Sequence, residues 1–180
     1  EESAPKTQPS TEWLALEGKA DKAHIVFVSG DEEYRSEEAL PQLAKILNEH
    51  HGFNCTVLFA QHPDKPGIVN PNYLHNITGL EQLAEADMMV IFTRFRALPE
   101  EQMQHIEDYL LTGKPVLGIR TATHAFNFTA KKIDSSYHQS PFLHYGNYYQ
   151  GEDEWLDGFG RLVLGENWSG NMLWKLFKWM

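Results

Sequence analysis

The stretch Pro115-Val116-Leu117-Gly118-Ile119-Arg120-Thr121-Ala122-Thr123-His124 runs a short apolar segment straight into a turn of small polar residues. A brief β-branched run that stops at such a turn reads as a buried strand feeding a sharp strand-to-helix elbow. Upstream, Pro99-Glu100-Glu101 opens a helix, with proline at the tolerated first position and acidic charge on the positive end of the helix dipole. Met103, Ile106 and Leu110 supply its apolar stripe and Gly113 ends it.

The same unit repeats toward the N-terminus. Met88-Met89-Val90-Ile91-Phe92 is a strand, preceded by a short helix that ends near Ala86 and starts at a capping box, Thr78-Gly79-Leu80-Glu81. Residues 61–76, with Pro63, Pro66, Gly67 and Pro71, form a long irregular connection. Before it come strands His24–Val28 and Cys55–Phe59, separated by a helix with Leu40, Leu43, Ala44 and Leu47 at helical spacing, Pro41 in its first turns and Gly52 at its stop. Strands alternating with helices imply right-handed crossovers, so the expected fold is α/β, a flavodoxin-like three-layer sandwich with a mostly parallel central sheet. Beyond Thr129 the periodicity dissolves into an aromatic, loop-like region, in which only Phe159–Leu164 reads as a further strand.

Composition narrows the function. The 180 residues carry 15 Lys plus Arg against 25 Asp plus Glu, a net charge of −10 that opposes binding to nucleic acid or an anionic membrane. No apolar run is long enough to span a bilayer. The single cysteine, Cys55, excludes an internal disulfide and every cysteine-based zinc pattern. Residues 1–22 are polar and read as a flexible leader, consistent with what a removed signal peptide leaves on a secreted or periplasmic protein. Residues 23–168 make the α/β domain, and 169–180 an atypical tail. Its stripe of Leu173, Trp174, Phe177 and Trp179 is a candidate surface for homo-oligomer formation.

In open parallel sheets ligands bind beyond the carboxyl ends of the strands. Four of the five arginines, Arg35, Arg94, Arg96 and Arg120, fall in three loops at such ends, whereas the ten lysines are scattered. A guanidinium stays charged and offers five fixed donors, which suits a carboxylate, a phosphate or paired sugar oxygens. The competing reading is that these arginines neutralise Asp31, Glu32 and Glu33. His124 is the candidate for proton transfer, its position at a helix start holding it neutral, with Glu33 as acid partner; the alternative is a capping or packing histidine. Tyr34, Arg35, Arg94, Arg96, Arg120 and Thr121 are the candidate substrate contacts. Trp155, Tyr148 or Tyr149 would cover the C–H face of a sugar, unless these rings simply pack a long loop over the sheet. No metal or other cofactor is expected. The nine histidines include no His-x-x-x-His pair, His50-His51 sit at a helix end, and Asp31-Glu32-Glu33 reads as a solvated loop.

In class I glutamine amidotransferases the residue after the elbow strand is the catalytic cysteine. Here it is Arg120, which cannot be deprotonated for attack, so thiol chemistry is excluded at this position. The segments Val26-Phe27-Val28-Ser29-Gly30, Gly79-Leu80 through Phe92, Gly113-Lys114-Pro115-Val116 and Gly118 through Phe126 together resemble the ThuA-like (trehalose-utilisation) family of that superfamily. The family commonly reads Gly-Leu-His-Ser-Ala-Thr at this turn, where the chain has Gly118-Ile119-Arg120-Thr121-Ala122-Thr123. The resemblance covers roughly residues 24–168 and implies a small-molecule sugar or glycoside as partner. Two expectations follow: a protein of trehalose or related glycoside utilisation, or a non-catalytic module that binds a carbohydrate or organic acid.

Overall fold

A computed structural model describes residues 12–169. The expected tail surface of Leu173, Trp174, Phe177 and Trp179 therefore lies outside the described residues. The sheet has five strands: β1 (Trp13–Leu16), β2 (His24–Gly30), β3 (Asn54–Phe59), β4 (Met88–Thr93) and β5 (Val116–Gly118), in the order β1-β3-β2-β4-β5. β3, β2, β4 and β5 run parallel, and β1 pairs antiparallel with β3. The fold is thus α/β with a mixed, mostly parallel sheet.

Within the stretch read as a leader, Trp13–Leu16 form a strand, β1, of the sheet. Trp13 stands opposite Leu58 and Leu16 opposite Cys55, while Gln61 Nε2 donates to the Glu12 carbonyl at 2.9 Å. A four-residue edge strand is too short to show a period of two, so it had no readable signature.

Alternate residues of β2 serve opposite cores. Ile25 and Phe27 pack with Leu40 and Ala44 of helix α1 (Ser36–His51). Val26 and Val28 join the core that holds Met103, Ile106 and Tyr109 of helix α2 (Glu100–Leu111). Both helices match the expected periodicity, although Tyr109 rather than Leu110 completes the buried stripe of α2. Gly52 ends α1 with φ 75°, its N–H donating to Asn48 O at 2.8 Å.

Three local expectations fail for physical reasons. Thr78-Gly79-Leu80-Glu81 makes no capping box, because the segment winds as a 3₁₀ helix (Leu80–Glu85) with Gly79 at its start and no side-chain cap. His124 ends a 3₁₀ turn (Arg120–His124) instead of starting an α-helix. Phe159–Leu164 is no strand, because it lies within helix α3 (Gly158–Leu164). A short apolar run has no period that separates strand from helix, and here packing decides. Gly160 lets α3 press on the elbow, where a Cβ would come within 2.0 Å of the Thr123 carbonyl.

Candidate functional site

Consecutive loops at the carboxyl ends of β4 and β5 are zipped by backbone hydrogen bonds: Phe95 N donates to His124 O at 2.9 Å, Arg96 N to Ala125 O at 2.8 Å and Asn127 N to Arg96 O at 2.9 Å. Beside them the β2–α1 loop turns around Asp31, which is fully buried. Its Oδ1 accepts from the backbone N–H groups of Glu33 at 2.7 Å and Tyr34 at 2.5 Å. Its Oδ2 accepts from the Thr121 hydroxyl, tying the first loop to the elbow. Ser36 Oγ meets Asp31 N at 3.0 Å and Ser29 Oγ at 2.8 Å, closing the network beneath the loop.

These loops enclose a cavity of about 510 Å³ lined by Glu33, Tyr34, Arg94, Arg120, Thr121, Thr123, His124 and Trp168. Its size lies in the range of small-molecule sites. Six of the nine residues expected from the sequence (Glu33, Tyr34, Arg94, Arg120, Thr121 and His124) therefore line one hollow.

The four arginines do not share a role. Arg96 is 0% exposed and does not line the cavity, serving instead as a buried floor for the loops that do: Nη2 donates to Glu32 Oε2 at 2.5 Å, and Nη1 donates to the carbonyls of Pro71 at 2.8 Å and Tyr73 at 3.0 Å. Burial lowers its pKa to about 10 against the restoring charge of Glu32 and Asp31, so it remains a cation at neutral pH. Arg94 lies at the wall with Nη1 on Glu32 Oε1 at 2.5 Å and Nε 2.9 Å from Glu33 Oε2; that second contact is an ion pair without hydrogen-bond alignment. Arg120 points into the cavity with Cζ 3.8 Å from the centre of the Tyr34 ring. Arg35 leaves the site altogether. Its side chain is 71% exposed and pairs with Glu38 on the first turn of α1. For Arg94 and Arg96, the reading as counter-charges to the acidic loop is the correct one.

Trp155 is likewise displaced from its expected role, because its ring packs on Tyr145 at 4.3 Å and His144 at 4.7 Å, away from the cavity. Trp168 takes that place, its carbonyl accepting from Asn147 Nδ2 at 3.2 Å. Its ring and that of Phe95 each lie 4.8 Å from the ring of His124.

His124 is 6% exposed. Burial first, and then the positive charge of Arg94, lowers its pKa to about 4 despite Asp31 and Glu32. The expected direction is right but the cause is desolvation, not a helix start. At neutral pH the ring is uncharged, and Glu33 makes no hydrogen bond to it.

Backbone strain collects here. Arg35, Phe95 and Arg120 hold φ of 56°, 50° and 48° immediately after or near the ends of β2, β4 and β5. Side chains other than glycine seldom adopt this region, and such residues cluster at functional sites. The sequence reading missed Glu32, Asp31, Phe95, Thr123 and Trp168 as builders of the site. For Asp31 a signal existed, an Asp two and three residues before the N–H groups it binds. Glu32 entered that reading only as a counter-charge to the arginines, and Phe95 and Trp168 had no signal. Among the described residues no set of three or more His, Cys, Asp or Glu side chains is grouped to hold a metal ion, and no helix is long and apolar enough to cross a membrane.

No protein-family model, curated protein or solved structure matches this chain.

Proposed function

We propose that this chain is a ThuA-like protein of carbohydrate utilisation, without the amidotransferase cysteine, whose cavity takes trehalose, a related glycoside or another hydroxyl-rich small molecule. The fold we assign is the flavodoxin-like three-layer sandwich. Its support is the parallel order β3-β2-β4-β5, with α1 on one face and α2 on the other.

The observation that carries the ligand reading is the make-up of the cavity lining. Arg94, Arg120, Glu33, Tyr34 and Thr123, which carry guanidinium, carboxylate and hydroxyl groups, line the same cavity as Trp168. Donors and acceptors sharing a cavity with an aromatic surface match a molecule with a hydroxylated rim and a C–H face. The second reading, a binding module without turnover, is favoured by His124. A histidine with a pKa near 4 and no carboxylate on its ring is a poor general base at neutral pH.

Thermal unfolding of the full chain with increasing trehalose, other disaccharides and their oxidised forms tests the proposal. A saturable rise in Tm supports it, and unchanged Tm throughout overturns it. The variant His124→Ala then separates the readings. Turnover lost with binding retained favours the enzyme; binding by the native protein without detectable turnover favours the module.

A further inference from the structure

The cations of the site are unequally committed. Arg96 gives its Nη1 and Nη2 to two carbonyls and Glu32, leaving only Nε without a partner, and Arg94 is shared between Glu32 and Glu33. Lys132 Nζ reaches to 4.0 Å from Glu32. Arg120 stands apart. Among the described residues its side chain has neither an ion-pair partner nor a hydrogen-bond acceptor, and its guanidinium lies over the face of Tyr34. Stacking covers one face of the guanidinium plane and leaves the in-plane N–H fork open, the edge that receives a carboxylate in two parallel hydrogen bonds. The chain holds this fork in the cavity from a backbone at φ 48°, a conformation that Arg itself disfavours.

We propose that Arg120 is the recognition residue for a carboxylate, so that among hydroxyl-rich ligands the site prefers a carboxylic acid of the sugar-acid class (a uronic or aldonic acid or a glycoside of one) over a neutral sugar. This rests on the reading of the cavity as a carbohydrate site and adds the charged group that the site selects. A monoanion fits better than a phosphate dianion. One uncommitted guanidinium balances one charge, and the Glu33 carboxylate in the same cavity lining, 48% exposed, opposes a second. Glu33 then accepts from ligand hydroxyls, and Tyr34 and Thr123 offer hydroxyl partners of their own.

Calorimetric titration of the full chain with glucuronate, glucose, glucose 6-phosphate and acetate, on the native protein and on R120Q and R120K, tests the assignment. Glucuronate is expected to bind about tenfold or more tighter than glucose, the order of magnitude of one charge-assisted bidentate contact. R120Q should cost glucuronate about tenfold more in affinity than it costs glucose, bringing the two together, while R120K, charged but without the fork, should fall between. If R120Q does not unfold cooperatively, Tyr34→Leu removes the platform instead and should weaken glucuronate more than glucose.

Equal affinity for glucose and glucuronate overturns the carboxylate assignment and leaves the carbohydrate reading standing. Tighter binding of glucose 6-phosphate than of glucuronate overturns the choice of a monoanion. Acetate binding as tightly as glucuronate supports the role of Arg120 and overturns the carbohydrate reading. Binding of none of the four overturns both.

Discussion

The buried floor of the strand-end loops and the rim of the cavity are built from the same residue type and behave in opposite ways. Arg96 follows β4, is wholly buried, and has its charge met by Glu32 and its Nη1 donors by the Pro71 and Tyr73 carbonyls, with only Nε unpartnered. Arg120 leaves β5, faces the hollow and rests on a ring. A buried cation must be paired at once, because desolvation of an isolated charge costs several kcal/mol. A rim cation keeps its water and can exchange that water for a ligand. The floor therefore tests structure, and the rim tests recognition.

Breaking the floor is expected to give the largest effect. Arg96→Met strips Glu32 of one counter-charge and two carbonyls of their donor, and should cost about 3–5 kcal/mol in urea unfolding. Arg120→Met, by contrast, should change stability by less than about 1 kcal/mol. Equal losses from both would erase the distinction between floor and rim.

His124, between the two, sharpens it through pH. Its folded pKa of about 4 lies below its ordinary value of 6.5, so the unfolded chain binds the proton first as pH falls. Stability is full above pH 6.5 and declines toward pH 4, by roughly 2–3 kcal/mol from this one group. His124→Gln should flatten that segment of the profile relative to the native protein. An unchanged slope would place the proton uptake elsewhere.

At the rim a gain is expected. Arg120→Gly removes the penalty of a left-handed backbone and should stabilise the fold by about 0.5–1 kcal/mol while abolishing the carboxylate preference. A loss of stability would mean that the Tyr34 contact outweighs the strain. Smallest of all, Arg35→Ala should shift stability by less than about 0.5 kcal/mol and leave ligand affinity alone, since its ion pair with Glu38 is exposed.

Much of the fold was readable because its signals are local. The periodic runs from His24 to Gly118 announce parallel strands and two covering helices, and strands β2 to β5 together with α1 and α2 follow them. Where the period fails, so did the reading. β1 spans only Trp13–Leu16, and the Phe159–Leu164 run became part of a helix held against the elbow by close packing at Gly160. The site was half legible. Arginines at strand ends could be seen, yet which of them a carboxylate would consume could not, since Glu32 selects Arg94 and Arg96 through space across more than sixty positions of chain.

The amino-acid order by itself determined the alternation of strand and helix, and with it the end of the sheet toward which the arginines project. Periodicity and turn chemistry act over a few neighbours and need no partner. Tertiary structure alone decided that Arg96 became a buried strut, Arg35 a surface residue and Arg120 an open fork, and that Trp168 displaced Trp155 at the wall. Pairing, desolvation and ring contacts arise between residues distant in the chain, and they exist only once packing has brought those residues together.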